Sequence, residues 1–174
     1  MTLKTTRLLL RPWSESDAPA LYALARDPDI GPRTGWEAHK SEAHSAEIIR
    51  GVLSGDEMYA VVMRLTGRII GSIGLNPAKE RPDDCRELGY WIGKPYWGCG
   101  FAPEAAREML RRGFEDLGCG EIWCGHFDFN AQSKRVIEKC GFRYMNTRKK
   151  AYADGVEHTT LMYRLTREEW EAAR

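Results

Sequence analysis

The chain has no long apolar run, no paired-cysteine motif and almost no net charge, and each lack removes a class of protein. No stretch approaches the ~18 consecutive apolar residues of a membrane span. Thr2, Lys4, Thr5, Thr6 and Arg7 interrupt the N-terminal segment, so neither a secretory leader nor a membrane partner is expected. The 26 basic and 25 acidic side chains leave a formal charge of +1. That near-balance argues against a general nucleic-acid binder, which carries a basic excess, and leaves room only for a local basic patch. The five cysteines (Cys85, Cys99, Cys119, Cys124, Cys140) are odd in number and contain no Cys-x-x-Cys pair. They fit neither a zinc site nor a disulfide framework, and read as buried or idle thiols in a soluble, cytoplasmic, metal-free protein. Repeats, linkers and low-complexity tracts are missing as well. The 174 residues are therefore expected to form a single domain over residues 1–174, able to bury roughly 70% of its unfolded surface without staples.

Periodicity predicts the elements. Leu8-Leu9-Leu10 with Trp13 reads as a strand, and Ser14 and Asp17 open a helix through about Arg26. Residues 27–39, with Gly31, Pro32, Gly35 and Trp36, read as an irregular loop, followed by a helix over about 40–53. Met58–Leu65 and Arg68–Leu75 form a hairpin about Thr66-Gly67, Asn76–Asp84 is a loop, and Cys85–Ile92 is a strand. A long amphipathic helix follows, with Pro103 in its first turn and Ala105, Ala106, Met109, Leu110, Phe114 and Leu117 at helical spacing. Gly118-Cys119-Gly120 breaks it. Glu121–Phe129 is a strand, Asn130 caps a helix that stops at Gly141, and Phe142–Lys150 and Val156–Leu165 pair about Asp154-Gly155. Thr166 caps a short tail helix. The order βααβββαβαββ, with one central strand–helix–strand crossover, implies two parallel strands with antiparallel flanks: an α/β (α+β) fold with a mixed sheet flanked by helices, not a doubly wound one.

The most informative segment is Trp97-Gly98-Cys99-Gly100-Phe101-Ala102, between the strand Leu88–Ile92 and the long helix. Small residues at a helix start expose amides that have no internal partner, and the helix dipole favours an anion there. The segment reads as a phosphate cradle. It is no P-loop, since Gly-x4-Gly-Lys-Ser/Thr is absent. It is no dinucleotide fingerprint either, since Pro103 stands where the third glycine would fall. Cys99 lies inside the cradle but has no His and acid beside it in sequence to make it a nucleophile.

Three segments together carry a resemblance. They are Thr6-Arg7-Leu8-Leu9-Leu10-Arg11-Pro12-Trp13 with Ser16-Asp17, then Glu87–Ile92 running into Tyr96–Ala105, then Asn130-Ala131-Gln132-Ser133 leading to Glu138–Phe142. With them the chain resembles the GNAT superfamily of acyl-CoA-dependent N-acyltransferases, and most nearly its ribosomal-protein N-terminal (alanine) acetyltransferase branch. One position departs: Trp97 stands where the family's pyrophosphate motif often has Gln or Arg, while Gly100 and Ala102 keep their places.

The resemblance implies acetyl-CoA as cosubstrate and a gap between diverging crossover strands for its pantetheine arm, which adds like a strand to exposed backbone. Tyr90, Trp91 and Ile92 would line that gap, with Gly89 allowing a bulge that opens it. The amides of Gly98, Cys99, Gly100, Phe101 and Ala102 would hold the pyrophosphate, with Trp97, Asn130 and Ser133 also expected at the cofactor. Arg107, Lys134 and Arg135 are candidates for outer phosphates or are solvated helix residues. A neutral amine would attack the thioester directly, with no covalent enzyme intermediate. An amine near the lysine value of ~10.4 is almost wholly protonated at neutral pH, and an α-amine near ~7.8 much less so, so a base is needed. Glu87 is the first candidate base and His126 the second, with Asp128 behind them. The amide of Trp91 or Ile92 would meet the oxyanion. Ser133 or Tyr144 would donate to the departing sulfur, Ser133 because it matches a family position near the thioester.

For the acceptor, Arg33 and Trp36 in the 27–39 loop form one candidate wall, and Tyr152 with His158 the other. The branch favours a protein N-terminus. The alternatives are a small-molecule amine (an antibiotic, polyamine or amino acid) and a non-enzymatic acyl-CoA sensor. Strongly cationic acceptors call for clustered carboxylates, of which Asp27 and Asp29 give only a hint. Family members are often homodimers, and the aromatic content is compatible with one.

Overall fold

Alternating and continuous apolar runs build one eight-stranded sheet in the computed structural model, which describes residues 1–78 and 81–174. The strands are β1 (Leu3–Lys4), β2 (Leu8–Pro12), β3 (Met58–Met63), β4 (Ile69–Pro77), β5 (Cys85–Ile92), β6 (Glu121–Phe127), β7 (Arg143–Ala151) and β8 (Glu157–Thr166). The helices are α1 (Ala18–Ala25), α2 (Glu42–Arg50), α3 (Phe101–Arg111), α4 (Ala131–Lys139) and α5 (Arg167–Ala172). Across the sheet the order is β1-β2-β3-β4-β5-β6-β8-β7. Only β5 and β6 are parallel, as a crossover through α3 requires.

Several boundaries differ from expectation. A two-residue strand, β1, precedes the first expected one and pairs Leu3 with Leu10. Asn76 and Pro77, expected in a loop, extend β4 opposite Glu87 and Arg86. The rest of that expected loop includes residues 79–80, outside the described residues. The 27–39 loop contains one 3-10 turn, Gly31–Arg33. After Arg111 the long helix continues as a π-turn over Arg112–Asp116. No bulge sits at Gly89: β5 stays in register with β4 from Arg86 to Ile92. The crossover strands diverge as expected, because β5/β6 pairing stops at Leu88–Cys124. Beyond it β6 follows β8 while β5 remains bonded to β4.

Side chains alternate across a strand, so β5 divides its residues between two layers. Leu88 and Ile92 face the larger core, built with Ala105, Ala106, Met109 and Leu110 of α3. Trp91 faces the smaller cluster under α1 and α2, formed by Leu21, Ala25, Ile49 and Leu53. The gap between β5 and β6 is thus bordered by both layers.

His39 ties the smaller layer down. Its amide donates to the Ala25 carbonyl (3.0 Å), and its ring Nδ1 lies 2.8 Å from the Ser45 hydroxyl. Burial, and then the neighbouring His44, push its pKa down to about 4. An unfolded histidine takes its proton near 6.5, so between pH 6.5 and about 4 the unfolded chain binds more protons and stability falls as the pH falls. The loss is on the order of 2 kcal/mol. Melting curves at pH 7.5 and 5.0 check it: the His39→Gln variant should show a smaller drop in Tm between the two than the parent chain.

Candidate active site

The cradle is shaped by two left-handed residues, Gly98 (φ 75°) and Gly100 (φ 79°), the second being the N-cap of α3. A side chain is strained in that conformation whatever the room around it. Among the described residues, the amides of Gly98, Cys99, Gly100, Phe101 and Ala102 find no backbone carbonyl. Pro103 then occupies the first turn, where no donor is lost. The result is a ring of free N–H groups at the positive end of an 11-residue helix. Arg135 and Lys139 of α4 border the same cavity. Arg107 turns instead to the Lys139 carbonyl, and Lys134 pairs with Glu138. Trp97 spends its indole N–H on the Ile92 carbonyl (2.6 Å), occupying one acceptor at the end of the free edge of β5, and Arg33 stacks over its ring.

From the cradle one cavity of about 500 Å³ runs through the gap between β5 and β6. On the α4 side, the Tyr90 hydroxyl lies 2.8 Å from Ser133 Oγ and 3.3 Å from the Ser133 carbonyl. Burial raises the Tyr90 pKa well above its usual value, so this phenol stays protonated. Asn130 accepts from the Ser133 amide (3.1 Å) and donates to the Arg33 carbonyl (3.3 Å), which makes it a clamp between α4 and the 27–39 loop. His126 is buried. Its Nδ1 lies 2.7 Å from the Phe127 carbonyl, which can only accept, so in the neutral ring Nε2 accepts from the Tyr163 hydroxyl at 3.2 Å. Cys124 borders the cavity too, but burial, and then the charge of Glu87, hold its thiol protonated.

Glu87 lies on the other face of β5, half exposed at the cavity wall, with Arg148 Nη2 at 3.8 Å. Trp36 packs edge-on against Trp91 (5.8 Å) on the same side. The two expected acceptor walls touch each other. The Asp154 amide donates to the Gly35 carbonyl (3.1 Å), and Gly35 (φ 84°) leaves no space for a side chain against the Tyr152 ring. Tyr152 is held by Thr160 (2.9 Å) and by Phe127. Not every expected residue reaches the cavity. His158 stacks behind Phe127 and pairs with Asp154, and Tyr144 is exposed beside Thr147. The Cys99 thiol is exposed and turns to the Trp97 carbonyl. Asp128 is off the cavity wall, and Asp29 pairs with Lys94.

A bare amide ring at a helix start, opening into a gap between two parallel strands, is the arrangement to set beside known proteins. The sequence profile described as "Acetyltransferase (GNAT) domain" matches residues 7–143. The chain belongs to the GNAT acetyltransferase family. A curated relative from Aspergillus fumigatus, FsC-acetyl coenzyme A-N(2)-transacetylase, is 36% identical over 97% of this chain and 77% of its own length. The uncharacterized protein YkkB of Bacillus subtilis is 30% identical over 85% of this chain and 88% of its own length. Among solved structures, a GNAT-family acetyltransferase from Bacillus anthracis superposes with a TM-score of 0.85 at 25% identity, covering 97% of this chain and 99% of the other. The ribosomal-protein-S5-alanine acetyltransferase of Vibrio fischeri shares the fold with a TM-score of 0.78 at 18% identity, with 98% of each chain covered.

This GNAT protein is an acetyl-CoA-dependent acetyltransferase, and its cradle carries a support that sequence reading missed. Arg7, on the turn before β2, places Nη1 2.9 Å from the Cys99 carbonyl, Nε 2.6 Å from Glu104, and its guanidinium 4.5 Å over the Phe101 ring. Glu104 also accepts from the Thr5 hydroxyl (2.5 Å) and the Arg7 amide (2.8 Å). Burial alone would raise the Glu104 pKa, but the Thr5 and Arg7 donors outweigh it and hold the carboxyl below the usual range. Thr5 and Arg7 lie 99 and 97 residues from Glu104, so no local pattern links them. The brace fixes the loop from behind, leaving its amides toward the cavity. Arg7→Met should weaken acetyl-CoA binding about 10-fold, roughly the 1.4 kcal/mol of one charge-assisted contact, with kcat changed less than two-fold. Calorimetric Kd and steady-state kinetics check this.

Proposed function

We propose that the protein transfers the acetyl group of acetyl-CoA to a primary amine by direct attack on the thioester, with a small-molecule amine as acceptor. The observation that carries the reading is the continuity of one cavity, with free amides at one end and the Glu87 carboxylate at the other. In this reading the amides of Gly98–Ala102 hold the pyrophosphate and Arg135 and Lys139 the outer phosphates. The unpaired edge of β5 takes the pantetheine arm as an added strand. Glu87 removes the ammonium proton from the α1/α2 side, opposite the Tyr90–Ser133 pair. When the Tyr90 hydroxyl donates its hydrogen bond to Ser133 Oγ, the serine hydroxyl hydrogen is left free to point at the departing sulfur. The Ser133 hydroxyl therefore supplies the thiolate's donor, and the amide of Ile92, which faces the gap while that of Trp91 is turned to Ser72 of β4, meets the oxyanion.

The contact between Gly35 and Tyr152 supports the small acceptor, because it joins the two walls into a strap. A polypeptide N-terminus is the second reading, carried by the likeness in sequence motifs to the ribosomal-protein branch. The relative at 36% identity, by its printed name, acetylates FsC at N(2). The test is amine-dependent release of coenzyme A thiol. Acetyl-CoA should bind by calorimetry without an amine, and thiol should appear only when one is added. Binding with no turnover on peptides or small amines would leave a sensor, not an enzyme. A homodimer, common in the family, is checked by light scattering on the same sample.

A further inference from the structure

The acceptor end of the cavity has a chemistry of its own. On the α1/α2 side its wall is made by Ile30, Trp36, Val52, Leu53, Met58 and Trp91. The polar groups there are few, and apart from the Asn76 side chain, which lies opposite Glu87 on β4, mostly committed. Ser72 accepts from the Trp13 indole and donates to the Tyr59 carbonyl, both at 3.3 Å. Thr160 is bonded to Tyr152. The one carboxylate on the cavity wall, among the described residues, is Glu87, and Arg148 stands 3.8 Å from it. Asp27 accepts from the Asp29 amide and Asp29 pairs with Lys94, both away from the wall.

From this we infer that the acceptor is a monoamine on a compact apolar or aromatic body, and that polyamines and aminoglycosides are excluded. The inference rests on the amine-transfer reading above. One carboxylate partly offset by an arginine can receive one ammonium. A second or third cation on the same molecule would lose its water against Trp36, Met58 and Leu53 with no second carboxylate to meet it and only the neutral Asn76 amide nearby. An apolar body gains there instead, at roughly 25 cal/mol for each Å² removed from water. The T-shaped Trp36–Trp91 pair offers ring face and edge to a planar group. Val52 is 67% exposed at the rim, an apolar surface that such a body would cover.

The experiment uses the full chain with acetyl-CoA and three probes: 2-phenylethylamine, spermidine and an alanine-initiated tetrapeptide. Thiol release should give kcat/KM for 2-phenylethylamine at least 10-fold above that for either of the others. Val52→Asp, at an exposed position the fold tolerates, should lower kcat/KM for 2-phenylethylamine about 10-fold and raise it for spermidine. Trp36→Ala should raise KM for 2-phenylethylamine without moving the calorimetric Kd for acetyl-CoA. Melting curves confirm that both variants are folded. Equal or faster turnover of spermidine or the peptide overturns the inference and leaves amine transfer standing. No thiol from any probe overturns amine transfer itself.

Discussion

Glu87→Gln is expected to cut kcat by 10²- to 10⁴-fold, the usual range for loss of a positioned general base, while the Kd for acetyl-CoA stays within two-fold of the parent. The substitution keeps shape and removes only the proton acceptor. Glu87 sits on the face of β5 that carries Trp91, whereas Tyr90 reaches Ser133 from the other face. In the proposed reaction the carboxylate meets the amine and not the coenzyme, which is why turnover and binding should separate. His126 is the internal control. With its Nδ1 on the Phe127 carbonyl and its Nε2 on the Tyr163 hydroxyl, it has no free lone pair for an incoming ammonium. His126→Gln should cost less than 10-fold in kcat. A large loss at His126 with little change at Glu87 would move the base to the histidine.

The cradle was legible because its cause is local. Glycines beside a strand end and a proline one turn into an amphipathic helix dictate exposed amides wherever they occur. The central crossover was legible for the same reason, since apolar periodicity changes visibly between β5, α3 and β6. What escaped the sequence depends on pairing between distant segments. The divergence of the two crossover strands was expected from the resemblance, but the bulge at Gly89 is not there, and the place where the strands stop sharing a register, at Leu88 and Cys124, has no local mark. Arg7 looked like an ordinary flank of a strand; only folding brings it behind Cys99. The strap between Gly35 and Tyr152 joins a loop and a hairpin tip that are 117 residues apart, and neither shows in its own composition that it has a partner. Trp97, which departs from the family's usual residue, is explained by a donor role toward the Ile92 carbonyl, and that too is a contact of the folded chain.

Glu57→Ala is expected to destabilise the fold by about 2 kcal/mol, because it takes the main partner from a largely buried arginine. Glu57 stands at the start of β3, and its two carboxylate oxygens receive Arg112 Nη2 at 2.7 Å and Nε at 3.2 Å. Both side chains are close to nine-tenths buried, at 13% and 14% exposed. The Tyr59 hydroxyl donates to the same carboxylate (2.9 Å), and burial, then Glu57, push its pKa up to about 12. Removing the carboxylate leaves the phenol without its acceptor and the guanidinium with only the longer contact to Asp116, 3.4 Å from its Nη1, and a buried charge that loses its main partner costs more than the pair contributed. Glu57→Ala, Arg112→Met together should recover part of the loss, since the uncompensated charge goes with its partner. Urea unfolding of the single and double variants measures both. The pair joins the end of the α3 segment to the strand that presents Met58 to the acceptor wall. The single variant should therefore also raise KM for the amine at temperatures well below its melting point, while acetyl-CoA, which the proposed reading places at the opposite end of α3, should bind as before. A Glu57→Ala protein with parental stability would mean that water replaces the carboxylate at Arg112 without cost.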